Sequence, residues 1–328
     1  MKLLKLVPDD TNIDFIRWRG LAFGLSLLLM IASVGLCVTK GLNFGVDFIG
    51  GQMIRATFVE DKVAPVAELR EEVGKLGYGE PTIQRFGKDN QVSIRMKLPE
   101  GADAKPELAN KMAEDITAHL KQDHKGVRID GVDSVSGKVS GELFTKGLLA
   151  LLAAIVGVSA YIWFRFEWQF GVGAIWALFH DVTLTFGLFS LTGMEFDLNT
   201  IAALLTIIGY SLNDTVVVYD RIRENLMKYR KMDIPSLLNL SVNETLSRTI
   251  MTSLSISMPL VILVLFGPDV IFGFSVAMAF GILVGTYSSI YQAAPMLIWF
   301  KIGNDTFVPA DEKGDRPDRN AEGYGAKV

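Results

Sequence analysis

Apolar positions in this chain are gathered into long blocks rather than spread at the spacing of surface helices or strands. Six blocks of about 18 residues or more carry almost no charge, the length at which an α-helix crosses the hydrocarbon core of a bilayer. They fall at 20–38, 147–164, 170–191, 198–219, 249–266 and 271–300. The pattern predicts a polytopic α-helical membrane protein with six transmembrane helices. The first block has an uncharged core longer than that of a signal peptide and no small-residue cleavage site behind it, so it is expected to stay as a permanent helix.

Residues 39–146 follow a different rhythm. "QMIRATFV", "TIQRF", "QVSIRMKL" and "VRIDGVDSV" read as strands, with "GKDN" as a hairpin signal between the second and third. "VAELREEVGKLG" carries Val66, Leu69, Val73 and Leu76 at helical spacing and stops at Gly77. "KPELANKMAEDITAHLKQ" repeats the pattern with Leu108, Met112, Ile116 and Leu120 behind Pro106. Strand, helix, strand, strand, helix, strand is the split βαβ order of ferredoxin-like folds. A small α/β domain is therefore expected between the first and second helices.

Lys and Arg orient the blocks. The turns 193–197 and 267–270 have none, whereas Arg17, Arg19, Arg165, Arg221, Arg223, Lys228, Arg230, Lys231 and Lys301 cluster at the other ends. The positive-inside rule then puts both termini, 1–19 and 301–328, in the cytoplasm and 39–146 outside it, long loops being exempt. Within 147–300, the basic and amphipathic stretch 220–247, with Leu226, Leu237 and Leu238, is expected to continue the fourth helix and then lie near the headgroups. The tail 301–328 lacks apolar periodicity and is expected to be disordered.

Composition narrows the chemistry. Half of the 328 residues are hydrophobic, and the mean hydropathy is +0.32. The single Cys37 excludes an intramolecular disulfide and cysteine-based metal sites. His119, His124 and His180 are too few and scattered for a ligand set, so no metal or other cofactor is expected, and no nucleic-acid partner. The net charge of −4 hides an uneven distribution and says little about partners.

Polar residues inside the apolar blocks carry the functional signal, because such groups are costly in lipid and mark pathways or helix contacts. Asp214 stands in "GYSLNDTVVVYDRIREN" with Tyr210, Ser211 and Asn213 around it. It lies about 8 Å inside the apolar layer if the following "TVVVY" is embedded. Tyr210 and Ser211, one turn back, are expected on its face. The plainer alternative is a carboxylate that snorkels to the surface. Arg248, Thr252, Ser255 and Pro259 form a polar stripe on the fifth helix; Arg248 can face inward toward Asp214 or pair with Glu244 one turn earlier. His180 and Asp181 sit in the third block, about 100° apart as neighbours on a helix. Gly281 and Gly285 give a GxxxG spacing for close helix approach. In "GLNFGVDFIGG", Gly45, Asp47, Gly50 and Gly51 mark a tight junction, with Asp47 read as the cap of a turn.

Taken together, "GLNFGVDFIGG", "FHDV", "GYSLNDTVVVYDRIREN" and "VNETLSRT" closely resemble the SecF family of the bacterial Sec protein-export machinery, from the first helix to about Phe300. The resemblance implies a membrane fold like that of resistance-nodulation-division exporters and a multi-pass subunit of the bacterial inner membrane. It implies work with SecD beside the SecYEG channel, using proton-motive force to help a translocating polypeptide finish crossing, with no enzymatic activity. It places the family's membrane aspartate at Asp214 and its membrane arginine at Arg248, in a proton pathway. The glycine-rich junction would then be the hinge of a moving outer domain. Two other readings stand beside it: half of a small-molecule exporter of that superfamily, and an intramembrane aspartyl protease using Asp181 and Asp214.

Overall fold

The computed structural model describes residues 8, 11–60, 62–85, 88–98 and 106–303. The expected disordered tail, from 304 on, and the basic N-terminal residues 1–7 lie outside these. Among the described residues, six helices are long and apolar enough to cross a membrane. The first is α1 (Arg19–Thr39), preceded by a 3-10 turn at Ile16–Trp18. After a short strand β1 (Asn43–Phe44) and a helical turn α2 (Val46–Ile49), the chain enters the α/β domain. It returns to the bundle through α5 (Gly137–Arg165), α6 (Trp168–Thr192), α7 (Leu198–Lys228) and α8 (Ile234–Phe266). The last crossing is α9 (Phe272–Ser288), a π-helical turn at Ser289–Ala293, and α10 (Ala294–Trp299).

Local chemistry sets several of these ends. Asp197 accepts the Thr200 amide at 2.8 Å while the Thr200 hydroxyl reaches back to the Asp197 amide, a capping box that starts α7. Ser136 and Asp233 cap α5 and α8 by accepting the Val139 and Ser236 amides, without the return bond. Gly193 ends α6 with φ +71°, a conformation that suits glycine.

The helices run further than their apolar cores. α5 begins ten residues before the expected 147, and α7 and α8 leave only the turn 229–233 between them. The stretch 220–247 continues the fourth helix, as expected, to Lys228 and then enters α8. Leu226, Leu237 and Leu238 are buried with Phe15, Phe166, Phe170 and Tyr219 in one core.

The α/β domain has the expected order. β2 (Gly51–Phe58), α3 (Val66–Lys75), β3 (Thr82–Arg85), β4 (Gln91–Met96), α4 (Pro106–Asp123) and β5 (Val127–Val135) build an antiparallel sheet ordered β3-β4-β2-β5. Ile54, Phe58, Leu69, Val73, Ile94, Met112, Ile116 and Leu120 fill its core. Burial of each large side chain of this kind stabilises a water-soluble domain by about 1.5–3 kcal/mol. Leu108, expected in that stripe, is exposed, and Ala109 is buried instead.

A second, two-stranded sheet was not expected. β1 pairs in parallel with β6 (Glu195–Phe196), the turn between α6 and α7. Phe44, Phe48, Phe144 and Phe196 pack edge to face around it. The α/β domain thus sits at the end of the bundle that carries the α6–α7 turn. The described ends of the chain meet at the opposite end, where Ile13 bonds Asn243 and Phe23 packs on Trp299. Inside the bundle, hydrophobic transfer no longer drives association, and close approach does. A Cβ on Gly281 would overlap Ile207, and one on Gly285 would press on Ser211, both on α7. The GxxxG spacing is a helix contact.

Candidate functional site

Asp214 turns into the bundle. It is 4% exposed and accepts a hydrogen bond from the Ser289 hydroxyl at 2.9 Å. A snorkelling carboxylate would be solvated, so that alternative does not hold. Thr249, on α8, is buried beside it without a hydrogen bond of normal geometry. Its neighbours in sequence go elsewhere. Tyr210 donates to Ser253 on α8 at 2.8 Å, and Ser253 meets Thr286 on α9 at 2.7 Å. Ser211 donates to Asp181 at 2.5 Å, and Asn213 faces out of the bundle. Ser211, one turn before Asp214, is turned into the bundle like it, and both Tyr210 and Ser211 give their hydroxyls to partners on facing helices rather than to Asp214.

His180 and Asp181 are both fully buried on α6. Although their Cα–Cβ bonds diverge by about 100°, the imidazole swings across, and its Nδ1 lies 2.8 Å from Asp181 Oδ1. Asp181 Oδ2 also accepts from Ser288 at 2.8 Å. On its other side His180 Nε2 meets Ser26 of α1 at 3.2 Å. Ser26 accepts from Gln292 at 2.9 Å and contacts the Tyr287 hydroxyl at 3.1 Å.

Ser288 and Ser289 are therefore the link the sequence reading missed. They occupy the start of the π turn, and Pro295 supplies a reason for it. A proline cannot donate to the carbonyl four residues back and crowds it, and one added residue in the turn relieves that clash. The turn points Ser288 at Asp181, Ser289 at Asp214 and Gln292 at Ser26. The signal was legible as "YSSIYQAAP", polar residues inside the sixth apolar block. Asp181 and Asp214 bond to different hydroxyls, and no hydrogen bond joins them. This is unlike the shared-proton pair an aspartyl protease needs.

Arg248 takes neither expected partner. Its side chain is exposed on α8 and makes no ion pair or hydrogen bond among the described residues, though it is within electrostatic reach of Asp214. Glu244 is held by Arg221 and Asn225 instead. Thr252 bonds back to its own helix, at the Arg248 and Thr249 carbonyls, and Ser255 faces out. The stripe from Arg248 to Pro259 thus looks away from this bundle, because Ser253 and Thr249 take the inward positions.

At the junction the glycines are sterically required. Gly50 and Gly51 have φ +75° and +117°, and a Cβ on Gly51 would collide with the Met96 carbonyl. A Cβ on Gly45 would meet Glu195 Oε1 at 2.8 Å. Asp47 caps a helix from a distance of 151 residues: its carboxylate accepts the Leu198 amide at 3.0 Å, at the start of α7. The joint is packed. Glu195 lies in it between Arg55 and Arg95, at 4.0 and 3.9 Å. Burial pushes the Glu195 carboxyl up to about 7, against the pull of Arg95 and Arg55 and with the help of Asp197 and Asp47.

Fold and site define a polytopic membrane protein with ionisable groups held inside its helix bundle and a small α/β domain locked onto one end. Residues 114–303 match the family described as protein export membrane protein SecD/SecF, C-terminal, and residues 35–61 match the SecD/SecF GG motif. The chain belongs to the SecD/SecF family. It is similar to the protein translocase subunit SecF of Rhodobacter capsulatus, 44% identical over 96% of both chains. SecF of Cereibacter sphaeroides is 46% identical over 91% of this chain and 93% of its own. Among solved structures, SecDF of Thermus thermophilus, a translocon-associated membrane protein, matches with TM-score 0.79 and 33% identity over 89% of this chain. This chain spans 39% of that longer one. The same coverage of SecDF in a super-membrane-facing form gives TM-score 0.64.

Proposed function

We propose that this chain is a proton-coupled accessory subunit of bacterial Sec protein export, working with SecD beside the SecYEG channel on the translocating polypeptide. The observation that carries the reading is Asp214, a carboxylate buried in a membrane helix and held by one neutral hydroxyl. A carboxylate in low dielectric is easier to bury protonated than charged. Moving one charge through the membrane potential is worth about 2.3 kcal/mol per 100 mV, enough to bias two conformations. Asp47 gives the motion a route, since it ties the glycine-rich joint to the start of the helix that carries Asp214.

The outward stripe supports a membrane partner. Arg248 and Asn213 would face lipid in the isolated chain, and exposed charge at that depth is costly. A second membrane subunit such as SecD removes the cost. Sidedness rests on the basic residues: both termini lie in the cytoplasm of this inner-membrane protein, and the α/β domain lies outside it.

Asp214→Asn tests the reading, since it keeps the volume and removes the proton site. In cells or proteoliposomes containing SecD, stimulation of export by a proton gradient should be lost, with protein level and copurification of SecD retained. Normal gradient-dependent export by a well-expressed Asp214→Asn chain overturns the proposal.

A further inference from the structure

We propose that the His180–Asp181 pair is a second proton-holding site, placed beside Asp214 by the adjacent Ser288 and Ser289 at the π turn. The inference rests on the proton-coupled reading above and extends it from one carboxylate to two.

Hydrogen counting carries it. Ser289 has one hydrogen and two acceptors in range, Asp214 Oδ2 at 2.9 Å and the Thr286 carbonyl at 3.0 Å. Ser288 is in the same position, between Asp181 Oδ2 at 2.8 Å and the Gly285 carbonyl at 3.1 Å. Each serine donates to its carboxylate when that group is ionised. When the carboxylate gains a proton, its new O–H donates to the serine oxygen, and the serine turns its own hydrogen to the helix carbonyl. Ser211 also donates to Asp181 Oδ2, at 2.5 Å, and a protonated Oδ2 keeps a lone pair to accept it while donating to Ser288, so protonation leaves no buried group unsatisfied.

The imidazole extends this bistability toward α1. With Asp181 ionised and His180 neutral, Nδ1–H donates to Asp181 and Nε2 accepts from Ser26. A proton added at Nε2 makes the imidazolium, which donates to the Ser26 oxygen while Ser26 turns its hydrogen to the Tyr287 oxygen. Tyr287 is free to accept because its own hydrogen goes to the Ala22 carbonyl at 3.0 Å. The titratable groups facing the pair are Tyr287 of α9, stacked on Tyr291, and, across the two serines, Asp214 of α7. α1 presents Ser26 alone to it, and among the described residues no Lys or Arg pairs with either member. Proton occupancy, without a fixed counter-cation, is thus the variable that sets the charge of this site.

The test uses the full chain with SecD in proteoliposomes. Infrared difference spectra between high and low pH should show a protonated-carboxyl band that Asp181→Asn removes and Asp214→Asn leaves. In transport, Asp181→Asn should cut gradient-driven stimulation by about tenfold or more. Asp181→Glu should restore part of it, and His180→Gln should shift the pH midpoint of stimulation. A merely structural pair predicts the opposite, since Asn accepts the same hydroxyl bonds and the pH profile stays put. If Asp181→Asn fails to assemble, His180→Gln and Ser288→Ala carry the test, and unchanged pH midpoints in both overturn the proposal. A dead Asp214→Asn beside a wild-type profile in the His180 and Asp181 variants overturns this second site alone. A silent Asp214→Asn overturns the reading it rests on.

Discussion

Glu195, three residues before α7, and Asp214, near its middle, are both withdrawn from water, yet they are held by different chemistry. Glu195 lies between two guanidinium groups, with its Oε1 making no hydrogen bond. Asp214 is held by one hydroxyl, and its nearest cation, Arg248, points away from the bundle. At Glu195 burial favours the neutral acid while the two guanidinium groups pull toward the charged one, so the joint itself feels the protonation state. A carboxylate facing hydroxyls meets groups that donate or accept equally well, so it can change protonation state without orphaning a partner. The same helix therefore begins beside a carboxylate held by cations and carries in its middle one held by a hydroxyl.

The largest test breaks the joint. Arg95→Met leaves Glu195 with only Arg55, which is already bound to Asp133. Removing one side of a buried pair costs about 3 kcal/mol or more. Exchange of the Gly45 amide, which donates to the Phe196 carbonyl, should then be roughly a hundredfold faster at pH 8, by the same principle. The effect should shrink at pH 5, where Glu195 takes a proton.

The unaltered joint should itself respond to pH. Its carboxyl titrates near 7, above the ordinary 4.5. Packing of Glu195 therefore contributes stability that is complete below about pH 4.5 and is lost as the pH rises through about 7. Glu195→Gln should flatten that dependence in the same exchange measurement, and a slope that survives would show that another group sets it.

Ser289→Ala sharpens the other half of the comparison. It removes the hydroxyl from Asp214 and leaves a buried acceptor unpaired, a cost of about 1–3 kcal/mol. The thermal midpoint in detergent should fall, and Ser289→Thr should restore it.

The smallest effect is expected from Asp47→Ala. α7 keeps its Asp197 cap, so the loss of the second acceptor should cost about 1 kcal/mol. Asp47→Asn should be close to neutral, because its amide oxygen can still accept the Leu198 amide.

Several of these residues were visible before any coordinates. Asp214 stood out because its surroundings in the chain are apolar, and the GG junction because four glycines fall within the eleven residues of "GLNFGVDFIGG". The βαββαβ order could be read because a soluble domain writes its burial into strand and helix periods; only Leu108 and Ala109 exchanged places. Arg248 was legible as important, but its direction was not. Ser288 and Ser289 carried a signal, as polar residues inside the sixth apolar block, that the reading passed over, and Ser26 and Glu195 carried none.

What the sequence determined by itself is therefore what local composition encodes: the number and place of the spans, the kind of inserted domain, and which charges lie at membrane depth. What only the tertiary structure decided is which face of each span meets which neighbour. Asp47 reaches across 151 residues to cap α7, Ser211 serves Asp181 rather than Asp214, and the π turn divides two serines between two carboxylates. The reason is physical. A helix apolar all round carries little amphipathic signal to say which side is inward, so inside a membrane the facing is set by close packing at glycines and by the few polar groups that must find one another.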